Sequence, residues 1–140
     1  MLRTASSGLG DTLRDAEGSF LGGFMHFVED VHSAKQAELL ACLYGARIAL
    51  ERGWRPLIIE SDCLEVVTEV DSSSDCLSML GVLVEDLREV LVLLSSARLV
   101  HTRRPANQVA HILAQEAYQL QDVSIFFGCC SPVCGGCFKL

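Results

Sequence analysis

The sequence predicts an α/β domain, a sheet layered with helices, on three observations. Two extended segments, Gly8–Asp15 and Ser19–Val28, flank a turn-forming stretch. Helical spacing takes over at Ser33 and returns after Cys63, Met79 and Pro105. Short apolar runs at Leu57–Glu60 and Ala97–Thr102 alternate with those helices, as layered α/β folds require.

Residues 1–7 carry no pattern. Asp15–Gly18 supplies the turn chemistry of a β-hairpin between the first two segments. Ser33 is the expected N-cap of the next helix and Gly53 its end. Between them Ala37, Leu40, Ala41, Leu43, Tyr44, Ile48 and Leu50 cover much of the circumference, so this helix is expected to pack on more than one side. Pro56 leads into Leu57–Glu60, a buried strand that ends at Ser61–Asp62. Cys63–Val70 resumes helical spacing and 71–75 is a loop. Met79–Leu94 is a long amphipathic helix, with Leu80, Val84, Leu87 and Leu91 on one face and Glu85, Asp86, Arg88 and Glu89 opposite. Ala97–Thr102 forms the last strand. Pro105 and Asn107 open a final helix whose buried stripe is expected at Val109, Ile112, Leu113, Ala117 and Leu120.

At 140 residues and 50% hydrophobic content the chain is the size of one domain with one core. That domain is expected over 8–121, followed by a Cys- and Gly-containing tail, 122–140, expected to be mobile. Apolar runs such as Leu39–Tyr44 are far shorter than the roughly 20 residues of a membrane span, so no membrane role is expected. An odd cysteine count of 7 without a signal sequence favours reduced thiols in an intracellular compartment, cytoplasm and nucleus being equally open. A net charge of −7 has the wrong sign for bulk attraction to phosphate backbones, so any nucleic-acid site must be local.

Two acidic residues stand out. Glu38 has only small neighbours one turn away, Ala34, Ala41 and Cys42, on a face suited to close approach to a sheet. It is either a solvated residue at the edge of that face or a carboxylate held in a site. Asp62 lies just outside the carboxyl end of a strand, where α/β sheets bind ligands, and equally where an N-cap for the following helix would lie. Together they make a partial oxygen site of the kind magnesium accepts.

Four ordered segments carry a family resemblance: Gly8–Asp15, Lys35–Glu38, Ile58–Asp62 and Arg104–Ala114. They resemble the plant ribonuclease H-like, reverse-transcriptase-like domains, over roughly Gly8 to Leu120 and without a large insertion. The resemblance implies a ribonuclease H-like fold, a mixed sheet with flanking helices. It also implies cleavage of RNA in RNA–DNA hybrids by two metal ions, magnesium or manganese, held by four carboxylates. Glu38 and Asp62 match the second and third of these. The first belongs to a strand ahead of Gly8 that the chain is expected to lack, and Asp11 matches a neutral position and is not counted as a ligand. The fourth falls on His111, a poor magnesium ligand that is either a borderline metal ligand or an exposed helical histidine.

His101 matches the family's histidine before the last helix, implying a part in proton transfer or product release. Arg103 and Arg104, with Arg98 and Lys35, are candidate phosphate contacts, and Asn107 joins them as a candidate nucleic-acid contact. Cys129, Cys130, Cys134 and Cys137 have a knuckle-like spacing, but the short loop between them favours incidental thiols over a zinc site. The expectation is therefore a domain that binds an RNA–DNA hybrid or RNA with impaired or lost cleavage. The alternatives are an active metal-dependent hybrid endonuclease and a non-catalytic protein-interaction domain. Loss of a central strand would bare a sheet edge, through which self-association is expected.

Overall fold

The computed structural model describes residues 6–72, 74–75, 79–95, 97–103, 108–121, 123–127 and 138–139. Strands β1 (Ser6–Arg14) and β2 (Phe20–Glu29) pair antiparallel, in register from Ser6↔Glu29 to Leu13↔Gly22. The hairpin closes where its turn residues stand. Asp15 Oδ1 accepts the N–H groups of Glu17 at 3.0 Å and Ser19 at 2.8 Å, and Gly18 takes a φ of 84° that a side chain would disfavour.

Helix α1 (Ala34–Arg52) has both expected ends. Ser33 Oγ accepts the Gln36 N–H at 3.1 Å, Gln36 Oε1 accepts the His32 N–H at 2.9 Å, and Gly53 closes the helix in the left-handed conformation. It packs against β1, strand β3 (Leu57–Ser61), helix α2 (Leu64–Asp71) and helix α3 (Gly81–Leu93), burying Leu39, Cys42, Leu43, Ala46 and Ala49. That is the many-sided burial its pattern predicts. Strand β4 (Arg98–His101), helix α4 (Gln108–Leu120), and strands β5 (Val123–Phe127) and β6 (Phe138–Lys139) complete the described elements. No helix among the described residues is long and apolar enough to cross a membrane.

The strands form one mixed sheet of 6 in the order β4-β3-β6-β1-β2-β5. β3 runs parallel to β4 and β6, while β1 runs antiparallel to β2 and β6. Val123–Phe127, which carries no strand signal recognised in the sequence, pairs with Gly22–His26 as an outer strand. Cys129, Cys130, Cys134 and Cys137 lie outside the described residues, as do Arg104, Pro105 and Asn107.

Two sequence expectations about helix faces are corrected. In α4, Val109, Ile112 and Leu120 are exposed, and the buried residues are Ala110 and Ala117. The reason lies in β1. A Cβ on Gly8 would stand 1.7 Å from Ala114 O, and one on Gly10 would stand 2.6 Å from Ala114 N. The two glycines let the helix backbone rest on the strand at Leu113 and Ala114, so Val109, Ile112 and Leu120 turn outward, while Leu113 is half-buried and Ala117 is buried as expected. In α3, Arg88 is not simply a solvent-facing charge. Its guanidinium reaches across to the end of α2, donating to Val70 O at 3.1 Å, Glu69 O at 2.7 Å and Ser72 O at 2.6 Å, and it pairs with Glu85. These are the carbonyls a helix leaves unsatisfied at its C-terminus.

Candidate functional site

The pleat of β1 sorts its residues between two helical layers. Gly8 and Gly10 meet α4, while Leu9, Asp11 and Leu13 point to the opposite face, toward α1. β1 and β3 are not paired with each other. A cleft of about 440 Å³ opens at that interval, and groups from both layers reach it: Glu38 from α1, His111 from α4, Asp62 from the end of β3 and Asp11 from β1. Ala34, Ala37 and Ala110 contribute small walls that leave the acids accessible.

Ser61 is fully buried at the last position of β3 and orients the site. Its Oγ donates to Glu38 Oε1 at 2.8 Å and accepts the Cys63 N–H at 3.2 Å, while its carbonyl accepts the Thr102 N–H at 2.9 Å. Glu38 is thus partly buried and fixed by a hydrogen bond, not a solvated edge residue. Burial pushes its carboxyl up; the Ser61 bond opposes this, the Asp62 charge adds to it, and His111 opposes it again.

Asp62 does not cap α2. Cys63 holds the N-cap position without a side-chain bond, and Asp62 Oδ2 accepts the Nε2–H of His111 at 2.6 Å. The Asp62 side chain is 10% exposed and that of His111 42%, so the pair spans the cleft mouth from within to solvent. His111 is therefore exposed and engaged at once. Lys35, a candidate phosphate contact, is committed elsewhere: its Nζ lies 2.5 Å from Glu69 Oε2 and 3.6 Å from Glu65 Oε1, and the Glu69 bond above all raises its pKa. His101 pairs with Ser61 across the β3–β4 ladder, but its side chain is exposed and does not line the cleft. Arg103 is likewise exposed outside it.

The residue that sequence reasoning set aside is Asp11. It is 6% exposed, and burial pushes its carboxyl from 3.8 up to about 8. The Thr12 N–H, donating to Oδ1 at 2.8 Å, and Arg14 pull it down, while Glu38 and Glu60 push it up further. The alternation Leu9-Asp11-Leu13 was the available signal, since it puts an acid on the apolar face of the strand. Beside it the Cys42 thiol is pushed well up, by burial first and then by Glu38 and Asp11, which makes it a packing group with little thiolate character.

Two magnesium ions require oxygen ligands and enough negative charge to offset their repulsion. The donor set near Glu38 and Asp62 adds an imidazole nitrogen and the buried Asp11 carboxyl, which burial pushes toward its neutral form, and one oxygen of each of Glu38, Asp62 and Asp11 already accepts a protein hydrogen bond. Among the described residues no group of three His, Cys, Asp or Glu side chains stands close enough together to hold a metal ion. Glu38, Asp62 and His111 do not fit a two-magnesium centre.

A model of the reverse transcriptase-like family matches residues 2–117. No curated protein matches the sequence. Among solved structures, RNase H1 from the halophilic archaeon Halobacterium salinarum NRC-1 is similar at a TM-score of 0.76 and 20% identity, over 85% of this chain and 92% of that one. The N-terminal RNase H domain of rv2228c from Mycobacterium tuberculosis, solved as a fusion with maltose-binding protein, gives 0.68 and 15%, over 82% and 92%. The foamy viral protease-reverse transcriptase in complex with an RNA/DNA hybrid gives 0.55 and 15%, over 86% of this chain and 21% of that one. At such identities the likeness is one of fold: this mixed sheet with its flanking helices is the ribonuclease H fold.

Proposed function

Because this chain belongs to the reverse transcriptase-like family, we propose that it is a ribonuclease H-like domain that binds nucleic acid of the RNA–DNA hybrid type and cuts it poorly or not at all. The observation that carries the reading is the Asp62–His111 bond of 2.6 Å beside the Glu38–Ser61 bond of 2.8 Å. Where divalent ions would need free carboxylate oxygens, this chain offers two acids already holding protein partners, and a neutral or cationic ring as the third group. Such a pair, with Asp11 pushed by burial toward its neutral form, supplies too little charge to seat two divalent cations at about 3.5–4 Å from each other. Magnesium or manganese then binds weakly at most.

Two observations support the binding half of this reading. The hybrid-bound foamy viral enzyme shares the architecture, and Arg98 and Arg103, exposed at either end of β4, offer local positive charge on an otherwise acidic chain. Arg104 and Asn107 belong to the same reading as the continuation of that segment, as do the intracellular setting and the plant kinship that the motifs suggest.

The test is a titration of the protein against an RNA–DNA hybrid at low salt, with hydrolysis followed in magnesium and in manganese. Binding that weakens steeply with salt, without strand cleavage, is expected. Cleavage that disappears in Glu38→Gln or Asp62→Asn would overturn the loss of catalysis. Absence of binding to hybrid and duplex alike at low salt would overturn the binding role and favour a protein-interaction domain.

A further inference from the structure

The face of the sheet that carries Leu9 and Asp11 continues past β1 onto β2 and β5. Directly opposed residues of an antiparallel pair point to the same side. The register sets Leu9 against His26 and Asp11 against Phe24, then His26 against Val123 and Phe24 against Ile125. These four side chains therefore project to the side on which α1 lies. α1 packs on β1 and β3, and the flank it turns to this shelf is the stripe Tyr44, Arg47, Ile48 and Glu51, spaced by three and four residues. Shelf and stripe bound a second cavity, of about 290 Å³, which shares no lining residue with the cleft. Its floor is apolar, with Phe24 and Ile48 buried, and Val123 and Ile125, each 54% exposed, form its lip. On its wall the His26 and Tyr44 rings lie parallel, with centroids 4.9 Å apart and 10° between their planes. Both are half-buried, so part of the stack borders the cavity. At the rim stand Arg47 and Glu51, both exposed. Four residues apart on one helix, they are spaced to pair, yet among the described residues neither has an ion-pair partner.

We propose that this cavity is a nucleotide site, taking one planar nitrogen heterocycle that carries a phosphate, either a free mononucleotide or an unpaired base of a strand. The heterocycle extends the His26–Tyr44 stack over the apolar floor. Its phosphate meets Arg47 at the rim, and Glu51, about 6 Å further along the helix, accepts an N–H from the base edge. Charge complementarity selects this class. An aliphatic ligand would fill the floor and leave both rim charges unmatched. A docking helix would need a groove several turns long, whereas the stripe from Tyr44 to Glu51 spans about 10 Å. The volume lies at the lower end of small-molecule sites, about 300 Å³, and so admits one base and not a duplex step. The inference does not depend on whether the chain binds an RNA–DNA hybrid.

The experiment titrates the full chain, followed by NMR, with adenosine monophosphate, adenosine, ribose phosphate and a short single-stranded oligoadenylate. Adenosine monophosphate at millimolar concentration is expected to shift the His26, Tyr44 and Ile125 resonances and to leave Asp62 and His111 unmoved. Adenosine should bind about fivefold more weakly, for want of the Arg47 contact, and ribose phosphate should leave both rings unmoved. Arg47→Gln, an exposed substitution that spares the core, should erase the difference between nucleotide and nucleoside, and Tyr44→Leu should weaken both about tenfold. No shift at His26 and Tyr44 with the monophosphate overturns the proposal, as do shifts centred on Asp62 and His111 instead. Ribose phosphate binding as tightly as the nucleotide, or a nucleotide preference that survives Arg47→Gln, overturns it too. Should Tyr44→Leu lose its cooperative melt, the Arg47→Gln comparison decides. The oligoadenylate tells the two sources apart: shifts at the same residues at lower concentration assign the site to a strand, and shifts with the monophosphate alone assign it to a free nucleotide.

Discussion

Replacing Asp11 with asparagine keeps the shape of a buried side chain and removes its charge. In the folded chain the Asp11 carboxyl titrates near 8, against an ordinary 3.8. Between those values the folded state holds a proton that the unfolded state has released, so stability falls as pH rises through the window and levels off above about 8. Each pH unit of difference is worth about 1.4 kcal/mol, so the penalty grows from about 2 kcal/mol at pH 5 to on the order of 6 kcal/mol at pH 9. Asparagine carries no such term. Denaturant unfolding of both proteins at pH 5, 7 and 9 should therefore give a gap in favour of Asp11→Asn that widens by several kcal/mol across the series. A gap of constant size would refute the reasoning, because it would mean that the aspartate ionises in place without cost, compensated by water or by a cation in the cleft.

Gly10→Ala puts a methyl group 2.5 Å from Leu113 Cβ and should cost about 1–3 kcal/mol in chemical denaturation, with Gly8→Ala worse because its Cβ meets a backbone carbonyl. Arg88→Met keeps the aliphatic stem but strips the carbonyls of Glu69, Val70 and Ser72 of their donor; a loss of about 2–3 kcal/mol is expected, with amide exchange accelerated in α2 before α1. His111→Asp adds an exposed carboxylate beside Asp62 and Glu38, so its melting temperature should drop in chelator and recover on adding manganese, while the parent chain responds little; equal responses would contradict the charge argument. Ser61→Ala removes the donor to Glu38 while leaving the strand buried, and should raise the Glu38 carboxyl further, visible as an upward shift of its carboxyl resonance titration.

What could be read from the sequence was local. Ser33 and Gly53 bound α1 because capping depends on the few residues around each end, and Asp15–Gly18 close the hairpin for the same reason. The position of Asp62 could be read because a strand end is a place in the fold, but its partner could not: a cap and a cross-fold bond to His111 require the same residue type at the same spot. The misread features all depend on distant chain. The buried face of α4 is decided by Gly8 and Gly10, a hundred residues earlier, so Val109, Ile112 and Leu120, which look inward by periodicity, face out while Ala117 of the same stripe is buried. Arg88 looks like a solvated charge until α2 ends beside it. The described residues of β6, Phe138 and Lys139, are too few to show a periodicity, and their place between β1 and β3 depends on strands more than 75 residues earlier in the chain.

The cleft opens where β1 and β3 lie side by side in the sheet without pairing to each other. Because β1 and β3 are held apart instead of paired, side chains from the α1 layer and the α4 layer meet through the sheet, which a continuous ladder would forbid. The opening puts Asp62 within reach of His111 and leaves Asp11 buried beside Glu38, where among the described residues burial outweighs the pull of Arg14. Asp11 and Glu38 are consequently costly to keep ionised and are neutralised readily by a proton or a cation. On the reading proposed above, hydrogen bonds that join the two layers stand where metal-binding charge would be. His111→Asp tests that reading directly, because it returns a carboxylate to the cleft while removing the ring that Asp62 now holds.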